Sequence, residues 1–276
     1  MSTSLRPVGI HVRLYHGLSE IIQAVEQLQL KAVQSFLMKE STEYITINDK
    51  IRHDFIKAKE RLGFLYFVHA AYWSGLTDKK SRPFISLQKE VEIAQWLHSD
   101  GIVVHPGATK AGLSKKDQLL YISECVNELN FKYPDIVILL ENGPHAGRSF
   151  GGDIESVALL MERIENKNLV GFCFDTAHAF VFGYDFLREQ TQQDFIRLLD
   201  QSIGKERLRL LHFNDSKERC GSYIDRHEIP GAGLIGKKTL QFFMNHDLFK
   251  DVPIIIELPG DCEQNDATLI KEIERW

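Results

Sequence analysis

Six apolar runs in this chain each lead into a residue that can bind a divalent cation. These residues are His69, His105, Glu141, Asp175, His212 and Glu257. Successive members lie 34 to 45 residues apart, which is the length of one strand, one helix and two loops. In a parallel β/α barrel the carboxyl ends of all strands meet at one face. The spacing therefore predicts a polynuclear metal site at the mouth of a barrel.

The whole chain can be divided into eight strand–helix units, because apolar runs of strand length alternate with segments of helical period. The predicted strands cover residues 8–12, 32–37, 64–68, 101–104, 136–140, 170–174, 207–211 and 252–256. Runs that are apolar at every position suit strands covered on both faces. The 276 residues are close to the typical ~250 of this fold, and no linker-like stretch divides them. We predict one (β/α)8 TIM-barrel domain over residues 1–276.

Composition points to an ordinary globular protein, with 43% hydrophobic and 26% charged residues. The net charge of -5 argues against nonspecific coating of nucleic acid, although bound cations would cancel the charge of clustered acidic ligands. The four cysteines have no CxxC spacing, which predicts free thiols in a reducing compartment. We find neither a signal-like apolar core nor a run of ~18 apolar residues. We therefore expect a cytoplasmic protein without a membrane partner.

Three further residues extend the candidate metal set. Asp225 and His227 are separated by one residue, so both side chains can point to the same side of an extended segment. His178 lies three residues beyond Asp175. Three protein ligands leave one coordination position open, as in catalytic zinc sites. The combination of His, Asp and Glu favours zinc, with manganese or iron as alternatives.

The segment Gly231–Gly236 has the pattern GxGxxG, but it follows a polar loop and lacks a βαβ context. The pattern therefore does not predict a dinucleotide site. It predicts a turn with close backbone approach, of the kind that receives a phosphate at a helix N-terminus.

Several segments carry a resemblance to a known family. They are VHPG at 104–107, EN at 141–142, FDTAHAFVFGYD at 174–185, LHFNDSK at 211–217, DRHEIPGAGLIG at 225–236 and IIIELPG at 254–260. Together they resemble the endonuclease IV family of apurinic/apyrimidinic endonucleases (AP endonuclease family 2). These enzymes are zinc-dependent barrels of the xylose isomerase-like superfamily. All nine of the family's ligand positions have matching residues here.

The resemblance implies three zinc ions. His69, His105 and Glu141 look like the first site, Glu141 with Asp175, His212 and Glu257 like the second, and His178, Asp225 and His227 like the third. Glu141, Glu257 and Asp225 are the candidate catalytic residues. The implied substrate is double-stranded DNA that contains abasic sites or blocked 3′ ends, cut 5′ to the abasic site. We expect a monomer.

The segments that depart from the family pattern are at the DNA-facing loops. Residues 13–18 read RLYHGL where the family has small residues, and 38–45 read MKESTEYI where it has an Asn-Pro-Arg segment. Tyr72 matches a family tyrosine, and Trp73 beside it can stack on a base, although both rings can instead pack within their loop. Arg226 and Lys217 are further candidate DNA contacts.

Two other functions compete with DNA repair. One is a sugar or sugar-phosphate isomerase or epimerase of the same superfamily, which needs fewer metals. The other is a DNA-damage-binding or metal-binding protein whose altered loops no longer support turnover. The trio His178, Asp225 and His227 favours the nuclease, because a sugar isomerase does not need a third metal site.

Overall fold

The computed structural model describes residues 6–39, 43–76, 78–107, 113–145, 150–259 and 267–276. The strands in these ranges are β1 (Val8–His11), β2 (Ala32–Ser35), β3 (Met38–Lys39), β4 (Glu43–Tyr44), β5 (Leu65–His69), β6 (Gly101–Val104), β7 (Ile138–Glu141), β8 (Val170–Asp175), β9 (Leu208–His212), β10 (Asp215–Ser216), β11 (His227–Glu228) and β12 (Ile254–Ile256). The α-helices are α1 (Ser19–Leu28), α2 (Asp49–Leu62), α3 (Arg82–Trp96), α4 (Lys115–Lys132), α5 (Ile154–Arg163), α6 (Thr176–Phe182), α7 (Glu189–Ser202), α8 (Lys237–Asn245) and α9 (Ala267–Ile273).

The eight strands predicted from the apolar runs form one closed parallel barrel. Their order around the barrel is β1, β12, β9, β8, β7, β6, β5 and β2, and β2 pairs with β1 to close the ring. Helices follow these strands and cover the outside. The predicted TIM-barrel fold is confirmed.

Two side-chain layers fill the upper part of the barrel. The lower layer is apolar and contains Ala32, Phe67, Val103, Leu139, Cys173, Leu210 and Ile255. Because side chains alternate along a strand, the residue two positions further points to the same face. The residues two positions after the apolar layer are Gln34, His69, His105, Glu141, Asp175, His212 and Glu257, and the corresponding residue of β1 is His11. We call these eight residues the polar layer; each lies at or next to the carboxyl end of one barrel strand.

Local sequence signals explain where several helices begin. The side chain of Asn48 accepts a hydrogen bond from the Ile51 amide at the start of α2. Ser114 accepts one from the Asp117 amide at the start of α4. Side-chain oxygens satisfy helix N–H groups that have no partner inside the helix.

Three short elements were not predicted. Helix α6 begins directly after β8, and the longer helix α7 follows it from Glu189. The segment after β9, the seventh barrel strand along the chain, contains the hairpin of β10 and β11, and β3 pairs with β4 in a second hairpin. These elements have two to seven residues, too few for a periodic pattern.

Two compositional expectations can be compared with the described ranges. Cys125, Cys173 and Cys220 are free thiols, and Cys262 lies outside those ranges. No described helix is long and apolar enough to cross a membrane.

Candidate metal centre

All nine predicted metal ligands lie at the carboxyl end of the barrel. His69, Glu141, Asp175 and His212 are the last residues of β5, β7, β8 and β9. His105 and Glu257 directly follow β6 and β12. The other three come from α6 and from the hairpin β10–β11, namely His178, Asp225 and His227.

Glu141 lies at the centre of the group and is fully buried. Its Oε2 atom is 3.2 Å from His69 Nε2 and 3.3 Å from His105 Nε2. Its Oε1 atom is 2.8 Å from His212 Nδ1 and 3.4 Å from His178 Nδ1. The two carboxylate oxygens thus face different histidines, as a carboxylate shared by two ions would.

A second group surrounds His212. The ligand atoms of Glu141, Asp175, His212 and Glu257 lie within 4.8 Å of one another. His212 Nδ1 is 3.8 Å from Asp175 Oδ2 and 3.6 Å from Glu257 Oε2. One imidazole nitrogen and three carboxylates therefore face one small volume.

A third group surrounds Asp225, whose Oδ2 is 3.2 Å from His178 Nε2 and whose Oδ1 is 3.1 Å from His227 Nε2. Asp175 also approaches this group, because its Oδ2 lies 3.8 Å from His227 Nε2. The trio predicted from the sequence is brought together, and Asp175 lies between it and the second group.

Hydrogen bonds on the far side of three imidazoles fix which ring nitrogen faces the site. His69 Nδ1 donates to the Ala70 carbonyl at 2.8 Å, and His178 Nδ1 donates to the Asn142 carbonyl at 2.9 Å. His212 Nε2 donates to Gln34 Oε1 at 2.9 Å. Such bonds hold the tautomer that leaves the opposite nitrogen free to bind metal.

Three buried amides near the ligands were missed from the sequence. Gln34 binds His212, as described, and Asn142 exchanges hydrogen bonds with the Asp175 backbone. Asn214 donates to Asp175 Oδ2 at 2.7 Å and to Glu257 Oε2 at 3.1 Å. A usable signal exists, because each amide lies at the end of a barrel strand or one or two residues beyond it.

The donor set fits divalent cations. Two carboxylates of this face, Glu141 and Asp175, are fully buried, and buried carboxylates need paired charge or a metal. In addition, His227 Nε2 is buried, and its 3.1 Å approach to Asp225 Oδ1 does not have the geometry of a hydrogen bond. A bound cation would supply both the positive charge and the partner of this nitrogen.

Mutual attraction shifts the pKa values of these groups. Burial lowers the pKa of His178, but the Asp175 and Asp225 carboxylates outweigh burial and hold it well above the ordinary value. Burial raises the pKa of Glu141, but His105 and His212 outweigh burial and hold it well below. At His105 burial dominates and lowers the pKa to about 4.

Two adjoining cavities open at the mouth of the barrel. The first has a volume of about 250 Å³ and is lined by Asp225, His227 and Glu257 together with Arg13, Phe36 and Tyr72. The second, about 390 Å³, shares the last three residues and adds Tyr15, Met38 and Trp73. We call the second cavity the aromatic cleft. Both segments that depart from the family pattern contribute to it.

The predicted DNA-contacting aromatics lie at this mouth. Tyr72 is 74% exposed and Trp73 is 42% exposed, so neither ring is packed away within its loop. The fully buried Glu90 of α3 holds that loop, because it accepts hydrogen bonds from the Ala71 amide and the Ser74 hydroxyl.

The two predicted basic DNA contacts lie in or beside the hairpin that carries His227. Arg226 pairs with Glu218 at 3.1 Å, and Lys217 Nζ lies 3.9 Å from Glu228 Oε2. Each cation therefore has an acidic neighbour that a DNA phosphate would have to replace.

The expectation that the segment Gly231–Gly236 receives a phosphate is wrong for four of its amides. They donate to the buried carboxylate of Asp215. The close backbone approach is present, but its anion belongs to the protein itself.

Comparison with known proteins assigns the chain to one family of TIM barrels. It matches the family described as xylose isomerase-like TIM barrel (AP endonuclease 2) over residues 22–276. A Geobacter sulfurreducens protein named "Probable endonuclease 4" is 32% identical over 88% of this chain and 78% of its own length. A Thermotoga petrophila protein of the same name is 28% identical over 97% of this chain and 96% of its own length. The crystal structure of endonuclease IV from Thermus thermophilus covers 98% of the chain, and the chain covers 97% of that structure, with a TM-score of 0.83 at 24% identity. This last likeness shows the fold.

Proposed function

Because the chain belongs to the endonuclease IV family of xylose isomerase-like TIM barrels, we propose that it is a zinc-dependent DNA-repair endonuclease. It hydrolyses the phosphodiester bond 5′ to an abasic site and trims blocked 3′ ends. The observation that carries the proposal is the convergence of all nine ligand-type residues on one face at the carboxyl end of the barrel, around Glu141.

We propose three ion positions, which the groups of donor atoms support. His69, His105 and Glu141 would hold the first ion; Glu141, Asp175, His212 and Glu257 would hold the second; His178, Asp225 and His227 would hold the third. When bound, such ions lower the pKa of water toward ~7 and stabilise charge on the attacking and leaving oxygens of a phosphoryl displacement.

The protein's own groups orient that chemistry. Glu141 links two groups of histidines, and Glu257 and Asp225 border the open cavity that the phosphate enters. The buried amides of Gln34, Asn142 and Asn214 hold the ligands from behind. The apolar layer below the polar layer excludes water from the barrel side, which strengthens the electrostatic interactions above it.

The DNA side of the site is the aromatic cleft and its rim. Tyr72 lies over the metal centre, where its ring stacks on His105 at a centroid distance of 6.2 Å. Arg13 lines both cavities, so its guanidinium can contact a phosphate next to the one that is cut. These residues give the duplex both an aromatic surface and a positive group near the metals.

The test is incision of a labelled duplex that contains a single tetrahydrofuran abasic analogue. We expect zinc-loaded protein to cut 5′ to the analogue and to leave an intact duplex uncut. Elemental analysis of protein purified without chelator should give about three zinc ions per chain. Glu141→Gln should lose incision by orders of magnitude, and Glu206→Gln, at an exposed position far from the site, serves as the matched control.

A reproducible content of one zinc ion would contradict the three-ion arrangement. Absence of incision by fully loaded protein would favour the sugar-enzyme alternative, and abasic-specific binding without incision would favour a damage-binding protein. The third group, His178, Asp225 and His227, argues against a sugar isomerase in advance of the experiment.

A further inference from the structure

The carboxylate of Asp215 is buried directly behind the third group of ligands, yet it belongs to none of the candidate metal groups. It accepts five backbone hydrogen bonds. Oδ1 accepts from Ser216 at 2.8 Å and Ile235 at 2.9 Å. Oδ2 accepts from Gly231 at 3.0 Å, Gly233 at 3.1 Å and Gly236 at 3.1 Å. The glycine-rich segment is thus an internal anion-binding nest.

These bonds fasten the hairpin that carries His227 at both of its ends. Asp215 pairs with Glu228, and Ser216 pairs with His227, in the antiparallel register of β10 and β11. The segment after the hairpin returns to the same point, because the Leu234 amide donates to the Ser216 carbonyl at 2.8 Å. Asp215 therefore joins the start of the hairpin to the chain that follows it.

The ring of His227 depends on this backbone for its position. Its Nε2 atom faces Asp225 Oδ1 at 3.1 Å and its Nδ1 atom lies 3.7 Å from Glu257 Oε2, so both ring nitrogens face carboxylates of the site. By contrast, hydrogen bonds hold His69, His178 and His212 from behind. We propose that Asp215 is a positioning residue that holds His227 and Asp225 in place for the third ion. This inference rests on the proposed metal sites and does not depend on the DNA activity.

A carboxylate is needed here because every partner is a donor. An Asn side chain in either orientation would place an NH₂ group against two or three backbone N–H groups. A second route to the same defect exists at Gly233, where an added Cβ would lie 2.5 Å from Asp215 Oδ1 and 2.6 Å from the Ser216 carbonyl oxygen. Gly233→Ala would disturb the nest without removing its charge.

The experiment measures zinc binding by Asp215→Asn and Gly233→Ala in the full chain without DNA, by titration against a chromophoric chelator. We expect both variants to bind one ion about 10- to 100-fold more weakly and to keep the others, as is typical when a residue behind a ligand is changed. Incision should recover at high free zinc in both. Asp251→Asn, which changes an exposed carboxylate paired with Lys205, is the control.

Wild-type zinc affinity in both variants would overturn the proposal, and so would equal weakening of all ions, since that would indicate a general structural role. If wild-type protein binds zinc but does not incise abasic DNA, the proposed nuclease function fails while the comparison of Asp215→Asn with wild type still decides this inference.

Discussion

Gln34 shows how one neutral side chain can organise two ligands. Its Oε1 atom accepts from His212 Nε2 at 2.9 Å, and its amide nitrogen donates to Glu257 Oε1 at 2.9 Å. The same nitrogen lies 3.0 Å from His11 Nδ1, and burial lowers the pKa of His11, which favours the neutral ring that can accept this bond. Gln34 thereby fixes the tautomer of His212 and the direction of Glu257.

Replacing Gln34 by Leu should weaken zinc binding by about 10- to 100-fold, because His212 and Glu257 lose their common partner. The unpaired His212 N–H should also cost about 1–3 kcal/mol in the free energy of unfolding. Zinc titration and urea unfolding in chelator check both effects, with Gln201→Leu at an exposed position of α7 as control. Unchanged zinc affinity would show that Gln34 only fills space.

Residue type and position were sufficient to predict which His, Asp and Glu side chains gather at the barrel mouth, but not the amides that support them. A His, Asp or Glu at the end of an apolar run is unusual by itself, so residues such as His69 and Glu141 can be recognised from the sequence alone. The roles of Gln34 and Asn214 depend on which strands become neighbours around the barrel, since each contacts residues more than thirty positions away. Nothing in the sequence distinguishes Asp215 from other carboxylates, because its role depends on the amides of Gly231–Gly236, which contact it only in the folded chain.

At the scale of elements, the loops after β1, β2 and β5 act together. They build the aromatic cleft beside the metal centre, with Tyr15, Met38 and Trp73 contributed by different loops. Large exposed aromatic surface next to a polar cavity is typical of a ligand site. The cleft adjoins the cavity that would receive the scissile phosphate, so a base next to the lesion is the group that it can stack.

Truncating Tyr15 and Trp73 to Ala should weaken binding to abasic duplex and leave binding to intact duplex almost unchanged. Each lost stacking partner is worth ~1–3 kcal/mol, which corresponds to roughly 5- to 150-fold in Kd. The measurement is a fluorescence-anisotropy titration with both duplexes. Phe131→Ala, at an 88% exposed ring on α4, is the matched control. Equal loss on both duplexes would show that the cleft does not read the lesion.

The hairpins and α6 show the limit of prediction at this scale. Helix α6 begins because the Asp175 side chain accepts a hydrogen bond from the His178 amide at 2.7 Å. The ligand is therefore also the helix cap. Hairpin β10–β11 is held by the nest around Asp215, and four of the five donors of this nest come from residues after the hairpin. Neither of these hydrogen-bonding arrangements produces a periodic pattern in the sequence, whereas the barrel strands appear in it as apolar runs.

At the scale of the whole molecule, charge at the barrel mouth couples metal binding to pH. The pKa is raised for His69, His178, His212 and His227. In each case burial lowers the pKa and nearby acidic groups outweigh burial. Without metal, protons on these rings balance the carboxylates of Glu141, Asp225 and Glu257, whose pKa values are lowered despite burial.

The sign of the pH dependence follows from these directions. A raised folded-state pKa stabilises the metal-free protein below the ordinary histidine value of 6.5, and this stability is lost as pH rises through the folded-state value. Zinc binds the neutral ring and gains affinity over the same interval. We expect the Tm in chelator to fall, and the gain in Tm from zinc to grow, as the pH rises above the ordinary histidine value of 6.5. A gain that is constant with pH would contradict this coupling.

The polar layer also determines where the chain tolerates insertions and deletions. Each barrel strand carries one of these residues at or next to its carboxyl end, and on seven strands that residue lies two positions after an apolar residue that points into the barrel. A single-residue insertion between the two would turn the ligand to the outer face of the barrel and bring its neighbour inside. Loops on the opposite end of the barrel can change length without moving any ligand. Divergence in chain length should therefore accumulate between strands, while the spacing of Leu139 to Glu141 and its six counterparts stays at two.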